Sequence, residues 1–335
     1  MKSEVHTVGI LLTMRCNVRC RMCCFSCSPT RNEEVPSSMV QRLIEQVAAY
    51  RNAGHPSLKT IAFSGGEVTL RFSELLTYIG MAHARELRTT FTTNGSWGVT
   101  QEQADSYVCQ CKKAGLTKLS LSFDNFHEEG IPVECIANIL RAARQYSIPC
   151  DLGSIITHSQ SNLSSLFGEL GELLIGVRHV VSPCLPVGAA VEGVSHDDYI
   201  IDPHILERDT HCTDIDTIAV YPDGSAYPCC SQMGRITALY LGNVFTEGLE
   251  TVCKHYNANL YVRIINKYGL SWFADVAREE GYVDYSIVPL INLCDLCSRM
   301  LSDEVFLQVL KPHLETYKES IYEKYLHSLR DKSAV

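Results

Sequence analysis

The sequence has no excess of positive charge: 29 Lys and Arg stand against 38 Asp and Glu, for a net charge of −9. No global basic field is available to attract nucleic acid or an anionic lipid surface. There is no apolar run near the roughly 18 residues that cross a bilayer. The apolar patch near the start, Val8 to Leu12, is too short for the core of a signal peptide. Sequence repeats and low-complexity tracts are absent. Disorder is excluded too, because 46% hydrophobic and 20% charged residues describe an ordinary globular chain. The expectation is a cytoplasmic protein with neither nucleic acid nor membrane as partner. Its 335 residues have room for one large or two modest domains.

What stands out is cysteine. Sixteen cysteines, about 5% of the chain, fall short of the ~8–10% of small disulfide scaffolds. In a reducing compartment, clustered cysteines serve metals or catalysis. Five crowd one segment (Cys16, Cys20, Cys23, Cys24, Cys27), and a second group is spread over Cys212, Cys229, Cys230, Cys294 and Cys297. The other six, Cys109, Cys111, Cys135, Cys150, Cys184 and Cys253, sit in apolar or helical surroundings and read as small hydrophobes.

The first ~190 residues alternate strand-like and helix-like patterns. Strands are expected at Val8–Thr13, Thr60–Ser64, Thr89–Thr93, Lys118–Phe123, Cys150–Thr157 and Val177–Ser182. Helices are expected around Val40–Ala48, Leu75–Ile79, Gln101–Ala114, Ile136–Tyr146 and Leu163–Leu174. About six such β/α units imply a parallel sheet with helical crossovers, and a partial barrel rather than a closed eight-unit one. After Pro186-Val187-Gly188 the pattern changes. Thr217–Tyr221 and Ser225–Tyr227 flank Pro222-Asp223-Gly224 as a hairpin, helices fill Leu249–Tyr268 and Ser271–Glu280, and a charged amphipathic helix spans Asp303–Leu329. The expected domains are 1–195, 196–302 and a terminal helix, 303–335.

Cys16, Cys20 and Cys23 spell C-x3-C-x2-C directly after the first strand, and β/α folds collect their chemistry at the C-terminal ends of strands. Thiolates suit soft metals and iron–sulfur clusters. Three thiolates leave one iron of a 4Fe–4S cluster open to a substrate. A zinc site is the bland alternative, but zinc favours paired C-x2-C knuckles.

This motif, with Gly65-Gly66-Glu67 after the second strand, resembles the radical SAM superfamily. The resemblance implies that Cys16, Cys20 and Cys23 hold a 4Fe–4S cluster whose fourth iron is chelated by S-adenosylmethionine. It implies further that Gly65, Gly66 and Glu67 receive the methionine amino group, that Ser122 and Asp124 contact the ribose, and that Asn94 is a further contact. One departure is Met22, where relatives usually carry an aromatic residue near the adenine; methionine still offers apolar and sulfur–aromatic contact. A reducing electron donor of flavodoxin or ferredoxin type is implied as partner.

The second group resembles the auxiliary-cluster (SPASM or twitch-like) domain of radical SAM enzymes that modify peptides. Cys212, Cys229, Cys294 and Cys297 then hold a second 4Fe–4S cluster; a four-thiolate structural zinc is the alternative. More narrowly, the segments Cys23–Thr30, Tyr227–Ser231, Pro186–Ala190 and Cys294-x2-Cys297 resemble the radical SAM peptide epimerases. These convert L-residues to D-residues in ribosomally made precursor peptides. By motif position the hydrogen-donor role falls on Cys230 and the ligand role on Cys229, with the swap left open. Adjacent residues on a strand point to opposite faces, so one thiol can enter the cluster while the other faces the barrel mouth. The runner-up reading is a maturase forming thioether or carbon–carbon crosslinks; a third is a zinc-stabilised binding protein without redox chemistry. Cys24 and Cys27 read as packing, and His127, His179, His204 and His211 as satisfied or solvent-facing histidines.

Overall fold

The computed structural model describes residues 4–333, and the side chains of all of these except 165, 166 and 324–333. The first strand shows how the architecture follows from alternation. In β1 (Thr7–Thr13), Val8, Ile10 and Leu12 are wholly buried and share one core with Leu43, Ile44 and Val47 of α1 (Ser37–Asn52). Leu11 points the other way, into a separate cluster with Met14, Cys16, Cys27, Ala219 and Tyr221. One strand thus anchors the outer helical layer and aims its end into the interior. Each such aliphatic side chain contributes about 1.5–3 kcal/mol by burial.

The series continues through β2 (Thr60–Gly65), α2 (Phe72–His83), β3 (Arg88–Thr93), α3 (Gln101–Ala114) and β4 (Lys118–Ser122). It is completed by the short α4 (Asn125–Glu128), α5 (Val133–Gln145), β5 (Cys150–Ile156), α6 (Ser164–Leu170) and β6 (Arg178–Pro183). Local signals set the bounds. At the start of α3 the Thr100 hydroxyl accepts from the Gln103 N–H at 3.2 Å, and at its end Gly115 takes a left-handed φ of 98°. The six strands pair in parallel in the order β6-β5-β4-β3-β2-β1. β1 is flanked by β2 and, on its other side, by β7 (Thr217–Val220), so the ring never closes. The expected partial (β/α)6 barrel is therefore the observed architecture.

After β6 come the short α7 (Ala190–Gly193), then β7, β8 (Ser225–Tyr227) and β9 (Gly242–Asn243), paired antiparallel, so the expected hairpin extends the same sheet. Next are α8 (Val244–Glu247), α9 (Leu249–Ala258), α10 (Leu260–Tyr268), α11 (Ser271–Glu279), α12 (Leu293–Leu301) and α13 (Glu304–Ser333). The helical segments expected over 249–268 are two helices, broken at Asn259. Asn259 turns its backbone extended, caps α10 by accepting from the Val262 N–H, and donates to the Ala238 carbonyl at 2.9 Å. Helix α12 was not anticipated. The terminal helix follows the expected span; residues 334–335 lie outside the described residues. Among the described residues no helix is long and apolar enough to cross a membrane.

Strands β4, β5 and β6 are tied by Asp151, which accepts from Lys118 Nζ at 2.5 Å and Arg178 Nη2 at 2.7 Å. Burial alone would raise its pKa, but the hydrogen bonds from Arg178 and Lys118 outweigh it and hold the carboxyl below its ordinary value. A depressed carboxylate stabilises the fold above its unfolded pKa and loses that contribution as pH falls through the folded one. Asp151→Asn is expected to lower the Tm at neutral pH. The gap to the wild type should narrow in acid, below the ordinary aspartate range, as read by thermal melts across pH.

Candidate active site and metal centres

The end of β2 lies against the end of β1 at a distance only glycine permits. Gly66 N–H donates to the Thr13 carbonyl at 2.6 Å, and Glu67 N–H to the Arg15 carbonyl at 2.9 Å. A Cβ on Gly65 or Gly66 would collide with those same carbonyls, and Gly65 also has a φ of +136°. The chain just past β1 is thereby held in place. It is the segment that carries the first cysteines.

Glu67 organises this corner from within. It is 0% exposed. Its Oε1 accepts from Thr69 N (3.0 Å), Thr69 Oγ (2.5 Å) and Thr93 Oγ (2.8 Å), and its Oε2 from Asn94 N (2.9 Å). Burial pushes its pKa up, and these hydrogen bonds oppose the shift. The carboxylate joins β2 to the end of β3 and presents no free face. Any group received beside it would meet the backbone around Gly65 and Gly66. Asn94, 7% exposed, directs its side-chain amide to Cys16 Sγ at 3.6 Å and to Asn17 Oδ1 at 3.0 Å.

Cys16, Cys20 and Cys23 follow within this loop as free thiols. Burial pushes Cys16 up to about 11 and Cys20 up to about 12, and Cys16 and Cys23 both add to the shift on Cys20. Cys23 is held below the ordinary thiol value, chiefly by its hydrogen bond with the Cys27 side chain. Among the described residues, no three Cys, His, Asp or Glu side chains converge as a single metal ion would require. Thiolates on separate irons of a cluster need no such convergence. The donor set is all sulfur, a buried amide already points at one sulfur, and the loop is held by glycine contacts. These residues fit an iron–sulfur group.

Ser122 ends β4 half-exposed. Asp124 is 0% exposed. Its Oδ1 accepts from Phe126 N, His127 N and His127 Nδ1, and its Oδ2 from Ile155 N, so it fastens β4 to β5. Met22 is buried in a small cluster with Phe126, Cys184, Ala190 and Tyr199. The other histidines are partnered as well: His179 with Ser154, His204 with Glu207, and His211 with Asp209.

The second group assembles at the far end of the sheet. Cys212, Cys229, Cys294 and Cys297 line one recess, together with Asp214 and apolar side chains that include Leu239, Ile265 and Leu270. Cys294 and Cys297 lie one turn apart on α12, whose first turn is fixed by Asn292 Oδ1 accepting from the N–H groups of Cys294 (2.9 Å) and Asp295 (3.1 Å). Buried Asp295 accepts in turn from Ile291 N and Arg299 Nε. Gly234 leaves room for the Cys229 sulfur, which a Cβ there would strike.

Cys230 is not among the residues lining that recess. The Cys229-Cys230 pair lies just past β8, in a bend rather than on the strand, and its two members still part company: Cys229 is buried and Cys230 exposed. Solvent reaches Cys230, yet surrounding protein desolvates its sulfur, and that desolvation, followed by Asp214 and Cys294, pushes the thiol up to about 12. Cys230 acts electrostatically on Cys24, the residue after Cys23. Sequence reasoning missed Asp214. It also missed the close approach of Gly188 to the Cys23 and Cys24 carbonyls, next to the Ala189 N–H bond to Cys23 O at 2.9 Å. The glycine in Pro186-Val187-Gly188 was the available signal.

Comparison with known proteins bears on the first half of this arrangement. Residues 10–158 match the family model described as the radical SAM superfamily. Over 315 residues the chain is 27% identical to YydG of Bacillus subtilis (strain 168), named as a peptide biosynthesis protein; the match spans 93% of this chain and 97% of that one. Among solved structures the fold resembles anSMEcpe with bound AdoMet (TM-score 0.58, 15% identity, 93% of this chain and 98% of that one). It also resembles Streptococcus suis SuiB bound to precursor peptide SuiA (TM-score 0.53, 14% identity, 79% of this chain and 67% of that one).

The glycine contacts can be tested directly. Gly66→Ala is expected to displace the Thr13–Cys16 segment and sharply reduce the iron taken up on anaerobic reconstitution. Gly80→Ala, with open space around it on α2, should load normally and gain about 0.5–1 kcal/mol from helix propensity. Equal iron uptake by both variants would contradict the role given to Gly66.

Proposed function

Because residues 10–158 form a radical SAM domain, we propose that this chain is a peptide-modifying enzyme of ribosomal peptide maturation, and specifically an epimerase that turns L-residues into D-residues. Support for a peptide substrate comes from the likeness to YydG along nearly the whole chain. The observation that carries the finer reading is the parting of the cysteine pair. Cys229 joins Cys212, Cys294 and Cys297 in the recess, whereas Cys230 does not line it and keeps an exposed surface, with Asp214 and Cys294 acting on it from the recess side and Cys24 within its electrostatic reach.

In this reading Cys16, Cys20 and Cys23 hold one 4Fe–4S cluster, and Cys212, Cys229, Cys294 and Cys297 hold the auxiliary one. Residues 196–302 form the auxiliary unit. When bound, the first cluster and S-adenosylmethionine supply a 5'-deoxyadenosyl radical that takes the α-hydrogen of a peptide residue. The chain's own residues do the rest. The backbone around Gly65 and Gly66 receives the methionine ammonium, and Ser122 offers its hydroxyl to the ribose. Glu67 and Asp124 hold these strand ends from below.

Cys230 acts on the side of the substrate opposite the adenosyl group. Its S–H bond breaks as a C–H bond forms on the planar α-carbon, which inverts the centre. The sulfur is left one electron short, so an electron from a low-potential flavodoxin- or ferredoxin-type donor and a proton from solvent must restore the thiol. S-Adenosylmethionine is consumed once per inverted residue.

The test is to look for a short peptide gene beside this one and co-express the two, followed by mass and chiral amino-acid analysis. The wild type should leave peptide mass unchanged in ordinary water, create D-residues, and in deuterated water place deuterium at each inverted α-carbon. Cys230→Ala should still cleave S-adenosylmethionine but form no D-residue. Loss of hydrogen mass with no D-residue would instead establish crosslinking. Cys297→Ala should roughly halve the bound iron, measured per chain after reconstitution; undiminished iron would contradict the auxiliary ligand set.

A further inference from the structure

We propose that the side-chain amide of Asn94 donates a hydrogen bond to the sulfur of Cys16 and thereby raises the reduction potential of the cluster at Cys16, Cys20 and Cys23. The inference rests on reading those three residues as cluster ligands. It goes beyond that reading by giving Asn94 a positioning and tuning role toward the cluster, in place of a contact with S-adenosylmethionine.

The hydrogen-bond pattern fixes which way the amide points. Asn94 Oδ1 accepts from Ser96 N–H at 3.0 Å. Its Nδ2 carries two protons, and two acceptors face it: Asn17 Oδ1 at 3.0 Å and Cys16 Sγ at 3.6 Å. Asn17 cannot turn over without loss, because its nitrogen would then face the Asn94 nitrogen, whereas as placed its Oδ1 accepts from Asn94 and its Nδ2 donates to Ser96 Oγ at 2.8 Å. A flipped Asn94 would set its oxygen against the Asn17 oxygen and its N–H groups against the Ser96 N–H. Every polar atom of the pair is therefore assigned by its partner. The backbone is held as firmly, since Asn94 N–H donates to buried Glu67 at 2.9 Å.

The consequence follows from charge. A thiolate bound to iron keeps partial negative charge, and reduction of the cluster increases it. A donor aimed at that sulfur stabilises the reduced state more than the oxidised one, which raises the potential. The contact is buried on both sides, at Asn94 and at Cys16, where water does not replace it and the effective dielectric is low. Cys20 is half-exposed and Cys23 Sγ accepts from the Cys27 backbone N–H at 3.4 Å, so the three ligands differ in surroundings and Cys16 is the one met by a buried side-chain amide.

The test is an EPR-monitored redox titration of the anaerobically reconstituted full chain, in a Cys294→Ala, Cys297→Ala background that leaves the first group as the remaining cluster site. Asn94→Leu removes the donor at similar volume, and Asn94→Asp replaces it with negative charge. With iron per chain unchanged, the midpoint potential should become more negative in Asn94→Leu and more negative again in Asn94→Asp. A purely structural role would change iron content or Tm without that ordering. An unchanged potential in a fully loaded variant overturns the proposal. Failure of both variants to take up iron overturns it too, in favour of a scaffold role. If the parent itself takes up no iron, it is the ligand reading of Cys16, Cys20 and Cys23 that fails.

Discussion

The contact between the ends of β1 and β2 is the constraint on which the rest of the site depends. Two backbone N–H groups, from Gly66 and Glu67, reach the carbonyls of Thr13 and Arg15, and the lack of a Cβ at Gly65 and Gly66 allows that approach. The same short segment delivers the Glu67 carboxylate into the interior, where four donors from Thr69, Thr93 and Asn94 close around it. Three strand ends and one loop are thereby locked together. The loop carries Cys16, and the last member of the network points an amide at its sulfur. Removing an acceptor from such a network leaves buried donors unpaired, at about 1–3 kcal/mol each.

The two cysteine assemblies are joined by the sheet itself. β7 pairs in parallel with β1, and β8 turns back antiparallel to β7, so the hairpin turn Pro222-Asp223-Gly224 lies toward the end of β1 that carries the first cysteine loop. Tyr221, between the two strands, packs on Phe25 from the first loop and on Tyr227 from the second. Cys229 and Cys230 follow directly after Tyr227 and Pro228. One enters the recess with α12, while the other stays on the open side near Cys24.

The six β/α units were legible because buried parallel strands must be apolar on both faces, as Val8, Ile10, Leu11 and Leu12 are, and because each helix carries its own period and caps. The C-x3-C-x2-C run after β1 was legible from its spacing, whereas the grouping of Cys212, Cys229, Cys294 and Cys297 came from the resemblance to an auxiliary-cluster domain. Tertiary contacts hid the rest. The break at Asn259 depends on the Ala238 carbonyl, which lies outside any local window. Helix α12 was obscured because Cys294-x2-Cys297 reads as a knuckle; Asn292, two residues before Cys294, was the helix-start signal. The saturation of Glu67 and Asp124 by backbone and hydroxyl donors cannot be read from a motif. A carboxylate in a ligand-binding segment looks the same whether it faces the ligand or holds the wall behind it.

The account's central claim is that three thiols at the end of β1 present an iron–sulfur cluster with one corner left for S-adenosylmethionine. The most direct measurement is anaerobic: reconstituted, reduced full-length protein is mixed with S-adenosylmethionine while the EPR signal and the appearance of 5'-deoxyadenosine are followed. The account predicts a perturbed signal and release of 5'-deoxyadenosine with methionine. Both should be lost when Cys16, Cys20 and Cys23 are replaced by alanine, while the signal of the second cluster persists. An iron-loaded wild type whose signal ignores S-adenosylmethionine and which never cleaves it would contradict the account.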